Sequence, residues 1–152
     1  MTSLGLDHCS MLGHTVEEIA WQKAGIFKPS CAAFTIKHES ESVMDVLKKR
    51  AEEKNAPLAL VPIMSEYKCN LESRKIKPGL YGNIQYLNSS LALQIAKYWL
   101  DKMNNKSLSN HSLIKENTDK LDENGLPILK PVVIEEHFKK GKHFFNNNNN
   151  IR

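Results

Sequence analysis

Residues 31–62 read CAAFTIKHESESVMDVLKKRAEEKNAPLALVP, and the order of patterns in this stretch decides the fold. Cys31 to Ile36 is a short apolar run, a strand candidate. Ser42 is placed to cap a helix whose stripe, Val43, Met44, Leu47 and Ala51, recurs at helical spacing. Asn55 and Pro57 end that helix. Leu58 to Val61 is a second strand candidate, closed by Pro62. A strand, a helix and a strand in this order imply parallel strands with helices packed over them.

Working outward, Thr2 to Leu6 is mostly apolar and reads as the end of a further buried strand. Asp7 to His14 follows as a loop. Thr15-Val-Glu-Glu18 is a capping box, in which a threonine at the helix start and a glutamate three residues on satisfy each other's free backbone N–H groups. The helix runs to about Ala24, with Gly25 ending it and Pro29 helping to prevent its return. Downstream, Glu66 to Lys77 is polar and a candidate edge hairpin. Gly79 and Gly82 mark a turn. A long helix is expected from about Ile84 to Met103, with Ile84, Leu87, Leu91, Ile95 and Trp99 on one face. Residues 104–128 are rich in Asn, Ser and Lys and read as a flexible linker or loop, because they bury too little apolar surface to offset the entropy of ordering. Pro131 to Phe145 is a candidate short helix, and Asn146 to Asn150 is low-complexity tail. The expected organisation is a sheet domain over 1–103, the linker over 104–128, and a short helix and tail over 129–152.

The 152 residues suffice for one ordinary domain, and an apolar fraction of 41% with 25% charged residues is that of a globular protein. The longest apolar runs, such as Ala56 to Met64, fall far short of the roughly 20 residues that span a bilayer, and no secretion signal opens the chain. The expectation is therefore no membrane partner. The net charge of +4 is mild. The short basic runs Lys48-Lys49-Arg50 and Lys139-Lys140-Gly141-Lys142 have no interleaved aromatic stripe, so nucleic acid is not an expected partner. Cys9, Cys31 and Cys69 lack the spacing of a zinc knuckle. Their odd number suits a reducing compartment, and they read as ordinary free thiols.

Lys23 is the most informative single position. It lies seven residues after Val16 (23 − 16 = 7), on the face that Val16, Ile19 and Ala20 bury. Its stem can pack while its amine reaches water, or the amine can face a cleft, where burial favours a neutral nucleophile able to capture carbon dioxide as a carbamate. His8 follows the first strand candidate directly, where ligands gather beyond the carboxyl ends of parallel strands. It reads either as a ligand or metal contact or as a loop histidine bonded to backbone. Asp7 is a candidate partner for it. Asn88 and Gln85 lie near the start of the long helix, where amides can read a nucleotide base or ribose or simply tolerate solvent. The chain contains no Gly-x-x-x-x-Gly-Lys-[Ser/Thr] phosphate loop.

The run Thr2-Ser-Leu-Gly-Leu-Asp-His8, with Leu12-Gly13, Thr15, Ile19-Ala20, Lys23-Ala-Gly-Ile26 and Lys28, resembles a signature segment of folylpolyglutamate synthases, members of the Mur ligase family. Gly82, Gln85, Asn88 and Leu91-Ala-Leu-Gln94 resemble a second family pattern, although Ile84 stands where relatives often have histidine. Residues 129–141 faintly resemble the stretch before the family's interdomain joint. The resemblance implies an incomplete parallel, three-layer α/β sheet of the family's central, ATP-binding domain. It implies ATP-dependent addition of glutamate to the γ-carboxylate of tetrahydrofolate through an acyl phosphate, with magnesium and a candidate monovalent cation. It further implies that His8 is a magnesium ligand, that Lys23 is carbamylated beside the metal, and that Asn88 and Gln85 lie near the nucleotide. Folate and L-glutamate would be the substrates, a monomer the complete enzyme's state, and the cytoplasm, together with the mitochondrion, its compartment. The family's phosphate loop and its second domain would lie outside this chain, so the chain alone is expected to be inactive. A dihydrofolate synthase-like ligase and a non-catalytic interaction fragment are the alternatives.

Overall fold

The computed structural model describes residues 1–67 and 81–132. Two helices open the chain, α1 (Cys9–Leu12) and α2 (Val16–Lys23), followed by a 3-10 turn at Ala24–Ile26. Then come β1 (Ala33–Thr35), α3 (Glu41–Glu53), β2 (Leu58–Leu60), a 3-10 turn at Met64–Glu66, α4 (Asn83–Asn104), α5 (Asn110–Glu116), β3 (Thr118–Leu121) and β4 (Pro127–Leu129). The four strands form one sheet in the order β1-β2-β4-β3. β1 and β2 are parallel, with Ala33 opposite Leu58 and Thr35 opposite Leu60. β2 and β4 are also parallel, and β3 returns antiparallel to β4.

Alternation along the strands explains the layers. Ala33, Leu58 and Leu60 face one side, where they meet Ala20 and Ala24 at the end of α2 and Val43, Met44, Leu47 and Ala51 of α3. Phe34, Ile36, Ala59 and Val61 face the other side and pack on Leu91 of α4, Ile114 of α5 and Leu129. Side chains of a strand point alternately to the two faces, and both faces here are apolar, as a parallel sheet covered on both sides requires. The molecule is thus a three-layer α/β structure, as expected. No helix among the described residues is long and apolar enough to cross a membrane.

Several local expectations change. Thr2–Leu6 forms no strand. Only Met1 pairs with β1, through Phe34 and Ile36. The loop after Asp7 contains α1, a single helical turn. Ser40, not Ser42, stands at the start of α3, and its hydroxyl bonds that of Ser42 at 2.6 Å rather than capping the helix.

Residues 104–128, expected as a flexible linker or loop, instead carry α5, β3 and the start of β4. Their few apolar side chains fall where burial counts: Leu113 and Ile114 under α5, and Leu126 at the hairpin end, are buried. Asp122 holds the hairpin turn, its carboxylate accepting from the amides of Asn124 at 3.0 Å and Leu126 at 2.7 Å, and Gly125 takes the left-handed conformation at φ 73°. The candidate hairpin over 66–77 lies largely outside the described residues, and the candidate helix over 131–145 and the tail do so from residue 133 on.

The face of α4 is also rotated from the expectation. Leu91 is buried and Leu87 packs against the same cluster, but Ile95 is 45% exposed and Trp99 59% exposed. The buried positions between are polar: Ser90 and Gln94 are 1% and 2% exposed. The Ser90 hydroxyl donates to the Pro62 carbonyl at 2.5 Å and meets the Tyr67 hydroxyl at 2.8 Å. The Gln94 amide donates to the Tyr67 oxygen at 3.1 Å and to the Lys130 carbonyl at 2.9 Å. These satisfied polar groups orient the helix and tie it to both the end of β2 and the end of β4.

Candidate functional site

A cavity of about 600 Å³ opens beyond the carboxyl end of β1. The segment that leaves β1 supplies Ile36, Lys37, His38 and Ser40 to its lining; Ser3 and Leu4 come from the start of the chain, and Ile84 and Leu87 from the first turns of α4. Ligands of parallel α/β sheets gather at this end of the strands, and a helix N-terminus at the rim favours negative charge.

His38 was not singled out from the sequence, although its place directly after a strand candidate was a usable signal. Its ring nitrogen Nε2 lies 3.3 Å from the Thr35 hydroxyl. Burial, with a smaller contribution from the nearby chain terminus, holds its pKa below the usual histidine value. Lys37 beside it is engaged by Glu123 at 2.8 Å, which raises its pKa.

The first helix is built as the sequence requires. The Thr15 hydroxyl accepts from the Glu18 amide at 3.1 Å, and the Glu18 carboxylate accepts from the amides of His14 at 2.7 Å and Thr15 at 3.3 Å. Gly13 sits at φ 119°, and a Cβ there would lie 2.4 Å from the Glu18 Cβ. The Leu12-Gly13 and Thr15 positions of the motif therefore set the start of α2, and with it the bearing of Lys23, half-buried at the last turn.

His8 begins α1 in the left-handed conformation at φ 55°, a region that non-glycine residues seldom adopt. Its carbonyl accepts from the amides of Met11 and Leu12, both at 2.9 Å. Its side chain is 67% exposed, with a carboxylate oxygen of Asp7 3.4 Å from Nε2. Gln85 and Asn88 lie on the turn of α4 that also carries Ile84 and Leu87. The Asn88 amide donates to the Gln85 side-chain oxygen at 3.4 Å, while the Asn88 Oδ1 is buried and has no partner among the described residues.

Four of the residues singled out thus fall on three elements. Val16 of α2 and Ile84 and Leu87 of α4 line the cavity themselves, but His8, Lys23, Gln85 and Asn88 are not in its lining. Magnesium asks for about six oxygen-rich donors in octahedral array. The described residues contain no group of three His, Cys, Asp or Glu side chains placed to hold a metal ion. His8 and Asp7 can contribute donors, but they do not constitute a magnesium site.

No protein-family profile matches the chain. It is 42% identical over 108 residues to the mitochondrial folylpolyglutamate synthase of Cricetulus griseus, a match covering 71% of this chain and 18% of that protein. It is 43% identical over 102 residues to the mitochondrial folylpolyglutamate synthase of Homo sapiens, covering 67% of this chain and 17% of that protein. Among solved structures, an FPGS–AMPPCP–folate complex superposes with a TM-score of 0.53 at 22% identity, over 76% of this chain and 31% of that one. The chain spans less than a fifth of the length of the curated relatives it matches.

Proposed function

We propose that this chain, 42% identical over 108 residues to a folylpolyglutamate synthase, serves as the part of such a ligase that carries Lys23, His8 and the α4 amides. The reaction is ATP-dependent extension of a folate by glutamate. ATP transfers its terminal phosphoryl group to the γ-carboxylate of tetrahydrofolate, forming an acyl phosphate and releasing ADP. The amine of L-glutamate attacks the acyl phosphate, the C–O bond to phosphate breaks, and an amide forms with release of phosphate and a proton. The solved structural neighbour holds AMPPCP, an ATP analogue, together with folate, which supports ATP and a folate as the ligands. The observation that carries this reading is the 42% identity over 108 residues.

Within this reading, Lys23 is the residue that becomes a carbamate, its position fixed by the capping box and Gly13 at the other end of α2. His8 would supply one donor to magnesium, whose chemistry when bound is to screen phosphate charge. Asn88 and Gln85 contact the nucleotide, and the unpartnered buried Oδ1 of Asn88 supports a ligand for that amide. The absence of a phosphate loop from the sequence supports a part that is inactive alone. The compartment is the cytoplasm or the mitochondrion, the latter named for two relatives. The test is a chimaera in which residues 1–103 replace the matching segment of the human relative. It should release one phosphate per glutamate added to tetrahydrofolate. Glutamate addition to dihydropteroate in preference to tetrahydrofolate would overturn the assignment in favour of a dihydrofolate synthase-like ligase.

A further inference from the structure

The helix that carries Lys23 meets α3 through small side chains. Ala20 and Ala24, at the end of α2, lie in one cluster with Val43, Met44, Leu47 and Ala51. Methyl groups offer little relief against which a helix can be keyed, so the rotation of α2 on α3 is left to contacts on its flank. Glu17 and Trp21 lie four residues apart on that flank. The Ser42 hydroxyl donates to the Glu17 carboxylate at 2.5 Å. One turn on, the Arg50 guanidinium lies over the Trp21 ring, 4.1 Å from its centroid. The Arg50 side chain is only 16% exposed. Its Nη1 donates to the Glu53 carboxylate at 2.7 Å, while its Nε is buried with no partner among the described residues. A buried N–H without an acceptor costs stability, and a stack on the partly exposed Trp21 ring returns only a small part of it. Adhesion alone would be served better by an apolar side chain at position 50. What the planar guanidinium adds is orientation, because it stacks flat on an aromatic face.

We propose that Arg50, through its stack on Trp21, is a positioning residue for Lys23: the pair fixes the rotation of α2 about its own axis, and with it the direction in which the Lys23 amine points. The inference rests on the reading of Lys23 as the lysine that becomes a carbamate. Lys23 lies two residues beyond Trp21, about 200° round the helix. Trp21 on the α3 flank and Lys23 on the opposite one therefore turn together as parts of one rigid element. The start of α2 is keyed by the capping box of Thr15 and Glu18 and by Gly13. Its last turn runs straight into the 3-10 turn at Ala24–Ile26, and the stack of Trp21 on Arg50 keys this end. Carbamate chemistry asks for such aim. A neutral lysine nitrogen bonds the carbon of carbon dioxide and gives up one proton to solvent, which leaves an anionic group on a long, flexible stem. Where that anion comes to rest depends on where the stem is rooted. A displacement of about 1 Å at a reacting position can cost on the order of a hundredfold in rate.

The test uses the human chimaera carrying residues 1–103, assayed for glutamate addition over a series of bicarbonate concentrations, with melting of the full chain as the folding control. Arg50→Lys keeps the charge and loses the planar stack. Trp21→Leu removes the stack from the other side, and Trp21→Phe keeps a ring under the guanidinium. Arg50→Lys and Trp21→Leu should each lower kcat at least about tenfold and leave KM for tetrahydrofolate within about twofold. Both should raise the bicarbonate concentration that gives half the maximal rate, whereas Trp21→Phe should stay near the parent in all three. If Arg50→Lys melts early in the full chain, the comparison of Trp21→Leu with Trp21→Phe decides. A rate loss with unchanged bicarbonate dependence would overturn the proposal, because a merely structural defect lowers the rate alike at every bicarbonate concentration. So would the parent rate in Arg50→Lys beside an inactive Lys23→Ala, with the carbamate reading left standing. Full rate in Lys23→Ala would overturn that reading and the proposal with it.

Discussion

At the scale of single residues, Gly13 and His38 have roles that geometry makes definite. Gly13 combines φ 119° with a 2.4 Å approach of any added Cβ to Glu18. Gly13→Ala should therefore cost about 2 kcal/mol or more, from left-handed strain together with loss of the glutamate's capping position, read as a fall in melting midpoint of several degrees. Thr15→Ala removes only one capping bond and should cost about 1 kcal/mol. His38 titrates below its ordinary value in the fold because burial disfavours the imidazolium. The unfolded chain then binds the more protons, so stability is greatest above the usual histidine pKa of about 6.5 and declines as pH falls through and below it. His38→Gln, which keeps a partner for Thr35, should flatten that decline in a denaturant titration repeated across pH. The motif glycine and threonine were legible in the sequence through the capping box. His38 was overlooked, because its place directly after a strand candidate is a positional signal that no periodicity reinforces.

At the scale of elements, α2 and α3 were legible because their apolar stripes and end signals agree. Val43, Met44, Leu47 and Ala51 were expected on one face and all are buried. The face of α4 was misread for a physical reason: hydropathy favours Ile95 and Trp99, whereas Ser90 and Gln94 win the interior because Tyr67, Pro62 and Lys130 supply partners from distant parts of the chain. Such partners are invisible to periodicity. Gln94→Ala should leave the Tyr67 hydroxyl and the Lys130 carbonyl each short of a donor, at a cost of about 1–3 kcal/mol, measured by equilibrium unfolding. The β3–β4 hairpin was missed because its apolar residues are scattered among polar ones; the Asn124-Gly125 turn was the overlooked local signal.

At the scale of the whole molecule, the parallel pair and one covering helix follow from residues 31–62, whereas the third layer is supplied by α4 and α5. What the sequence could not supply is the edge: that Met1 bonds along β1, through Phe34 and Ile36, emerges only from the structure. The cavity beyond β1 sits at the end of the sheet where ligands gather. The most direct measurement of the central claim, that the first segment of this chain carries ligase chemistry, is the glutamate-addition rate of the human chimaera bearing residues 1–103, with Lys23→Ala compared against Lys49→Ala on the exposed face of α3. The account predicts a working chimaera that loses at least about a hundredfold in rate, near 2.7 kcal/mol of barrier, with Lys23→Ala and is unchanged by Lys49→Ala. A folded chimaera that adds no glutamate, or one indifferent to Lys23→Ala, would contradict it.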